Sequence, residues 1–307
     1  MSRTEVLLVA GTHGNEINAC WFLNQVFKKS ELQEKYSFNI STVIGNPLAF
    51  EKGVRYIDRD LNRSFSSRLL SEFSQSREYE VKRAKELIDL YGSHSKKPCQ
   101  IVLDFHSTTA AMGTCIVIYG RRSNDLALAS LIQSRLGIPI YLHEGDDEQI
   151  GFLVEKWPCG LVVEIGPVAQ GLLDYKIIRS TSTVLETCLD EIQKIKNGDC
   201  TFPMSLDIHK HLGSIDFPRD SDGNINGIVH PQIQGKDWIP ITKGQALFIN
   251  SNGEEKFFNF DNMPESVIPV FINEAAYLEK GIAMSFTTKE QLLFEKSWSE
   301  DFYELLA

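Results

Sequence analysis

Paired cysteines, an excess of positive charge and any long apolar run are missing from this 307-residue chain. The six cysteines (Cys20, Cys99, Cys115, Cys159, Cys188 and Cys200) stand far apart with no C-x-x-C spacing. Neither a disulfide scaffold nor a cysteine zinc ribbon is indicated, and reduced, buried thiols are expected. Lysine and arginine total 31 against 41 aspartates and glutamates, a net charge of −10. That is the wrong sign for holding phosphate backbones through broad basic patches, so no nucleic-acid partner is expected. An anionic small substrate would need a few local arginines. The apolar run at 6–10 falls short of the roughly 7–15 residues of a signal peptide, and nothing approaches the roughly 18 of a membrane span. No membrane partner is expected, and a cytoplasmic location follows by default. With 42% hydrophobic and 23% charged residues, the composition is that of a packed globular protein and argues against collagen, coiled coil or disorder.

Up to about residue 200, short apolar runs (6–10, 40–44, 101–103, 115–119, 161–163) alternate with helical patterns. This is the texture of an α/β fold with a largely parallel sheet. Val81, Ala84, Leu87, Ile88 and Tyr91 predict one amphipathic helix, and Ile178, Thr181, Leu185, Leu189 and Ile192 predict another. The serine-rich stretch 64–75 reads as a surface loop with room for a helical turn. After Asn197-Gly198-Asp199, the turn signals Asp222-Gly223 and Asn252-Gly253 punctuate short segments typical of hairpins. A catalytic domain over 1–200 and a smaller β-rich domain over 201–307 are expected.

In open α/β sheets, ligands bind beyond the carboxyl ends of the strands. Three apolar runs lead there into reactive residues: Gly11-Thr12-His13-Gly14-Asn15-Glu16, Asp104-Phe105-His106-Ser107 and Glu164-Ile165-Gly166-Pro167. His13 and Glu16, three apart, can face one side of a turn whose glycines, Gly11 and Gly14, allow close backbone approach. With His106 they make a two-histidine, one-carboxylate set, the usual ligands of a hydrolytic zinc with one position left for water. The competing reading is a loop histidine and a hydrogen-bonded core histidine. Activated water needs a group to take its proton and pass it on, and Glu164 is the candidate. The stretch 53–63 carries Arg55, Arg59 and Arg63 against Asp58 and Asp60. Guanidinium groups there could hold a carboxylate or stabilise an oxyanion; a solvated charged loop is the alternative.

Five blocks in order, GTHGNE at 11–16, RYIDRDLNR at 55–63, DFHSTT at 104–109, VEIGP at 163–167 and NEAAY at 273–277, resemble the aspartoacylase and aminoacylase-3 branch of the zinc carboxypeptidase-like superfamily. The resemblance runs over nearly the whole chain. It implies a mixed sheet flanked by helices, with the C-terminal domain narrowing the entrance so that single N-acyl amino acids fit and proteins do not. It also implies one Zn2+ per subunit on His13, Glu16 and His106, with Glu164 as general base and then acid. Arg55 would polarise the scissile carbonyl, Asn62 and Arg63 would grip the substrate α-carboxylate, and Tyr277 would reach the substrate.

One position departs from the pattern. Where aspartoacylases carry an arginine for the side-chain carboxylate, counting back from Trp157-Pro158 reaches Phe152. N-acetyl-L-aspartate is the family's namesake substrate, while N-acetylated aromatic or thioether amino acids suit Phe152 better. A carboxypeptidase and a non-catalytic metal-binding protein are the remaining readings, and the sequence leaves open whether the chain forms a homo-oligomer. His209 and His211 are expected at the surface, with a second metal site as the lesser reading. His143, Glu144, Asp146, Asp147 and Glu148 form an acidic loop, read as solvated in preference to a calcium site.

Overall fold

The computed structural model describes residues 4–29, 34–72, 74–146 and 149–307. Its strands are β1 (Glu5–Ala10), β2 (Asn39–Ile44), β3 (Ile101–Ser107), β4 (Thr114–Tyr119), β5 (Ile140–His143), β6 (Cys159–Ile165), β7 (Ser205–Ile215), β8 (Ile228–Val229), β9 (Ile241–Thr242), β10 (Ala246–Ile249), β11 (Glu255–Phe257), β12 (Ser266–Val270) and β13 (Met284–Leu293). Ten form one sheet in the order β2-β1-β3-β6-β4-β5-β7-β13-β12-β9. The run from β2 to β6 is parallel, whereas β4 lies antiparallel to β6 and β13 antiparallel to β7, so the sheet is mixed.

Both faces of the parallel part are covered, which is why its strands read as continuous apolar runs. Val6, Leu8 and Ala10 point to one layer and Leu7 and Val9 to the other. The first layer holds α1 (Ile17–Gln25) and, further along the chain, the helices Ser123–Leu136, Tyr175–Asn197 and Lys296–Leu306. The second takes α4 (Tyr79–Tyr91), preceded in the chain by α2 (Pro47–Lys52) and α3 (Ser67–Ser71). Numbered in chain order, the three later helices are α5, α6 and α7. Both helices predicted from periodicity are present, as α4 and α6. Asp174 starts α6 by accepting from Lys176 N and Ile177 N, and left-handed Gly198 ends it. Helix α5 was not legible, because every residue from Asp125 to Ile132 is buried and the apolar stripe that periodicity detects is absent. In the expected loop at 64–75, Phe65 is buried and α3 supplies the helical turn, while Phe73 lies outside the described residues.

Residue 200, the expected boundary, lies between α6 and β7. Strands β7 and β13 pair along their length and carry the large sheet into a β-rich region with its own core of Phe217, Phe248, Phe258 and Phe286. Gly253 turns the chain between β10 and β11, as its turn signal predicts, and α7 returns to pack on α5. Among the described residues, no helix is long and apolar enough to cross a membrane.

Candidate active site

Parallel pairing brings the ends of β1, β3 and β6 to one edge. Ala10 lies beside Phe105 and His106 beside Glu164, so the three reactive segments converge as expected. The turn after β1 depends on two glycines. Gly11 has φ +68°, and a Cβ on it would stand 2.6 Å from Cys20 Sγ; one on Gly14 would lie 2.1 Å from the Ala49 backbone. Close packing against α1 and α2 thus holds His13 and Glu16 over the sheet edge.

His13 Nδ1 lies 2.7 Å from Glu16 Oε1, His106 Nδ1 lies 3.0 Å from Glu16 Oε2, and the two Nδ1 atoms are 3.1 Å apart. All three side chains are buried. The far nitrogens are engaged elsewhere: His106 Nε2 is 2.9 Å from Asp104 Oδ2, and His13 Nε2 is 2.9 Å from Asp60 Oδ1. When each Nε2–H is donated to its carboxylate, both Nδ1 lone pairs face one another and Glu16, an arrangement that a cation relieves. Carboxylates behind metal-binding imidazoles are the usual device for fixing tautomer and raising basicity. The residues therefore fit a divalent metal such as zinc. Asp60 stays ionised: burial pushes its carboxyl up, but His13, Arg55 and Lys280 together hold it well below the usual carboxylate range.

Glu164 sits beside this set with its Oε2 atom shut away from solvent and without a hydrogen-bond partner. Burial pushes its carboxyl up to about 8 against the opposing pull of His106. An orphaned carboxylate oxygen of raised proton affinity next to three residues of metal-ligating type is equipped to take and return a proton.

Arg55 reaches Glu16 Oε1 at 3.2 Å through Nη1, while its Nη2 lies 3.3 Å from Asp60 Oδ2 and 2.9 Å from His13 Nε2. Its loop is held by the buried Glu80 of α4, which accepts from Ile57 N (2.6 Å), Asp58 N (3.0 Å), Arg59 N (3.3 Å) and Asn46 Nδ2 (2.9 Å). We expect Glu80→Ala to strand these donors, to cost about 2–3 kcal/mol of stability and to lower kcat/KM about tenfold with metal content unchanged. Denaturant melts beside steady-state kinetics check this.

Asn62 Oδ1 accepts from Leu153 N at 2.9 Å, and Arg63 Nη2 donates to Gln149 Oε1 at 2.7 Å. The Arg63 guanidinium lies 4.0 Å from the ring centroid of Phe152, which is itself stacked at 3.6 Å on Tyr119. One small cavity is lined by His13, Glu16, Arg55, Asn62, Arg63, His106, Tyr119, Glu164, Phe271 and Tyr277. All eight residues singled out from sequence therefore meet in one place. Burial keeps the Tyr277 phenol protonated.

Sequence reasoning missed the supporting carboxylates Asp60, Asp104, Glu80 and Glu274. Asp104 and His106 are two apart on one strand face, a spacing that could have shown their pairing. Glu274 is buried and accepts from Thr108 Oγ1, Thr109 N (2.7 Å), Ala110 N (3.1 Å) and Ala276 N (3.0 Å). It clamps the segment carrying Tyr277 onto the turn after β3.

The minor candidates fall differently. His211 is buried and His209 packs on Trp238 at 4.8 Å, contrary to the surface positions expected, because β7 is an interior strand of the sheet. Glu144 of the acidic loop pairs with Arg121 and Lys210, while Asp147 and Glu148 lie outside the described residues. Five of the cysteines are buried, and burial pushes the thiols of Cys20 and Cys99 up to about 12, as inert packing residues should be.

This fold and site define an amidohydrolase of carboxypeptidase-like architecture. The chain matches the succinylglutamate desuccinylase/aspartoacylase catalytic domain over residues 2–192 and the AstE/AspA barrel-sandwich hybrid domain over residues 204–289. It belongs to the succinylglutamate desuccinylase/aspartoacylase family. It is 54% identical over 306 residues to a probable aspartoacylase of Prochlorococcus marinus strain NATL2A, covering 100% of this chain and 99% of the relative. A second probable aspartoacylase, from strain MIT 9313, is 52% identical over 306 residues, again covering 100% and 99%. The crystal structure of murine aminoacylase 3 superposes with a TM-score of 0.87 at 33% identity, covering 96% of this chain and 98% of that one.

Proposed function

We propose that this protein is a zinc-dependent deacylase of N-acyl L-amino acids, with N-acetyl-L-aspartate as the substrate that its aspartoacylase relatives suggest. The observation that carries the reading is the pair of facing Nδ1 atoms beside Glu16, with the unpartnered Oε2 of Glu164 alongside. When bound by His13, Glu16 and His106, the metal supplies Lewis-acid activation of water and of the acyl carbonyl. Glu164 takes a proton from the attacking water and delivers it to the amide nitrogen as the C–N bond breaks, and the second proton of that water passes from the new carboxyl to the amine, giving a carboxylate and a free amino acid with its amine protonated. Arg55 faces the oxygen on which negative charge develops, Asn62 and Arg63 hold the α-carboxylate, and the Tyr277 hydroxyl donates to the bound substrate. Residues 1–200 supply this chemistry and 201–307 cap it. A cytoplasmic location accords with the reduced cysteines.

A second reading of the substrate rests on the Phe152–Tyr119 stack beside the pocket, which favours aromatic or thioether side chains. Lys280, which lies over the Tyr277 ring, is already paired with Asp60 at 3.0 Å. Hydrolysis of N-acetyl derivatives of Asp, Glu, Tyr, Phe, Leu and Cys by zinc-loaded protein separates the two. A preference above about tenfold, worth some 1.4 kcal/mol, decides for aspartate or for the aromatic set. Cleavage of short peptides in preference to all of these would instead indicate a carboxypeptidase. Hydrolysis of none, with Glu164→Ala changing nothing, would sink the enzymatic reading in favour of simple metal binding.

A further inference from the structure

A cavity of about 1420 Å³ adjoins the active site, and Arg63 lines both. On its wall, Asp146 and His211 meet His143 in a cluster that deacylation does not use. His143 Nε2 is 3.9 Å and His211 Nε2 3.8 Å from Asp146 Oδ2, and the three ligand atoms all lie within 4.8 Å of one another. His143 is only 8% exposed, and its Nε2 has no hydrogen-bond partner. Tyr141 Oη lies 2.8 Å from His211 Nδ1, so that ring's far nitrogen is occupied and its Nε2 turns toward Asp146.

We propose that His143, His211 and Asp146 form a second metal site, for a divalent ion of the zinc or cobalt kind, with an open coordination position facing the large cavity. Two imidazoles and one carboxylate suit such ions, whereas calcium takes six to eight oxygens. Around an ion about 2.0–2.1 Å from each ligand, tetrahedral geometry sets ligand atoms about 3.4 Å apart, so the separations of 3.9 and 3.8 Å between the two histidines and Asp146 need a contraction of about half an ångström. The buried imidazole nitrogen without a partner is the vacancy in the hydrogen bonding that an ion would fill.

The test is metal stoichiometry of the full-length protein, stripped with chelator and titrated with Co2+ under visible absorption, with zinc content measured after dialysis. The wild type should bind two equivalents, His211→Ala and Asp146→Asn one each, and His106→Ala one. Asp146→Asn changes a partly exposed carboxylate and keeps the test intact if His211→Ala fails to fold. A wild type binding a single ion that His106→Ala loses, or two ions that both His211→Ala and Asp146→Asn retain, would overturn the second site. A single ion that survives in His106→Ala would overturn the ligand assignment of the active site and support this one.

Discussion

Glu164→Gln is expected to lower kcat by about 10²–10⁴, the usual contribution of a positioned general acid–base group, while leaving metal content and fold intact. Glutamine is nearly isosteric and resembles the protonated carboxyl, the form that burial favours by raising Glu164 to about 8. The substitution therefore removes proton transfer without adding a buried charge. In the wild type, kcat/KM should fall as pH drops through the pKa of Glu164 and its carboxylate takes up a proton. A bound divalent cation stabilises the carboxylate, so this limb should lie below pH 8. The variant should lack the limb. Unchanged kcat, or an unchanged acid limb, would assign the proton transfer to another group.

His106→Ala is expected to abolish metal binding at the active site and to reduce activity by at least about 10³, since Lewis-acid activation and the third ligand are lost together. It should also destabilise the protein by about 3 kcal/mol, because Asp104, fully buried, would keep Thr12 Oγ1 at 2.8 Å but lose the imidazole at 2.9 Å. Asp104→Asn separates the two effects: with the ligand present and its support weakened, metal affinity should fall only about 10–100-fold. Zinc competition titrations on both variants give the comparison. Equal losses would mean that Asp104 itself is indispensable to metal binding rather than a support for His106.

Much of the site was legible because its residues follow apolar runs. His13, His106 and Glu164 each stand at or just beyond the end of a strand, and parallel pairing then leaves them little choice but to meet. Phe152, reached by counting back from Trp157-Pro158, stacks on Tyr119 beside the pocket. The supports Glu80 and Glu274 were not, because they act on residues far from them in the chain. Glu80 acts on residues 57–59 from a helix, and Glu274 acts on 108–110 across more than 160 positions. Local pattern carries no trace of such pairings. In the fold, amphipathic α4 and α6 were visible, while fully buried α5 showed no polar face to mark its period. The reversal of β4 against β6 was hidden for a similar reason, since an interior strand reads the same in either direction.

The clamp made by Glu274 bears on the order in which the protein acquires its parts. A chain still emerging from the ribosome has all three candidate ligands and Glu164 well before it has residue 274. Until then the amides after β3 lack their acceptor, and Tyr277 is missing from the pocket. The hydrolytic centre is thus completed by a segment translated well after Glu164, so a chain that stops short of residue 274 is expected to hydrolyse poorly.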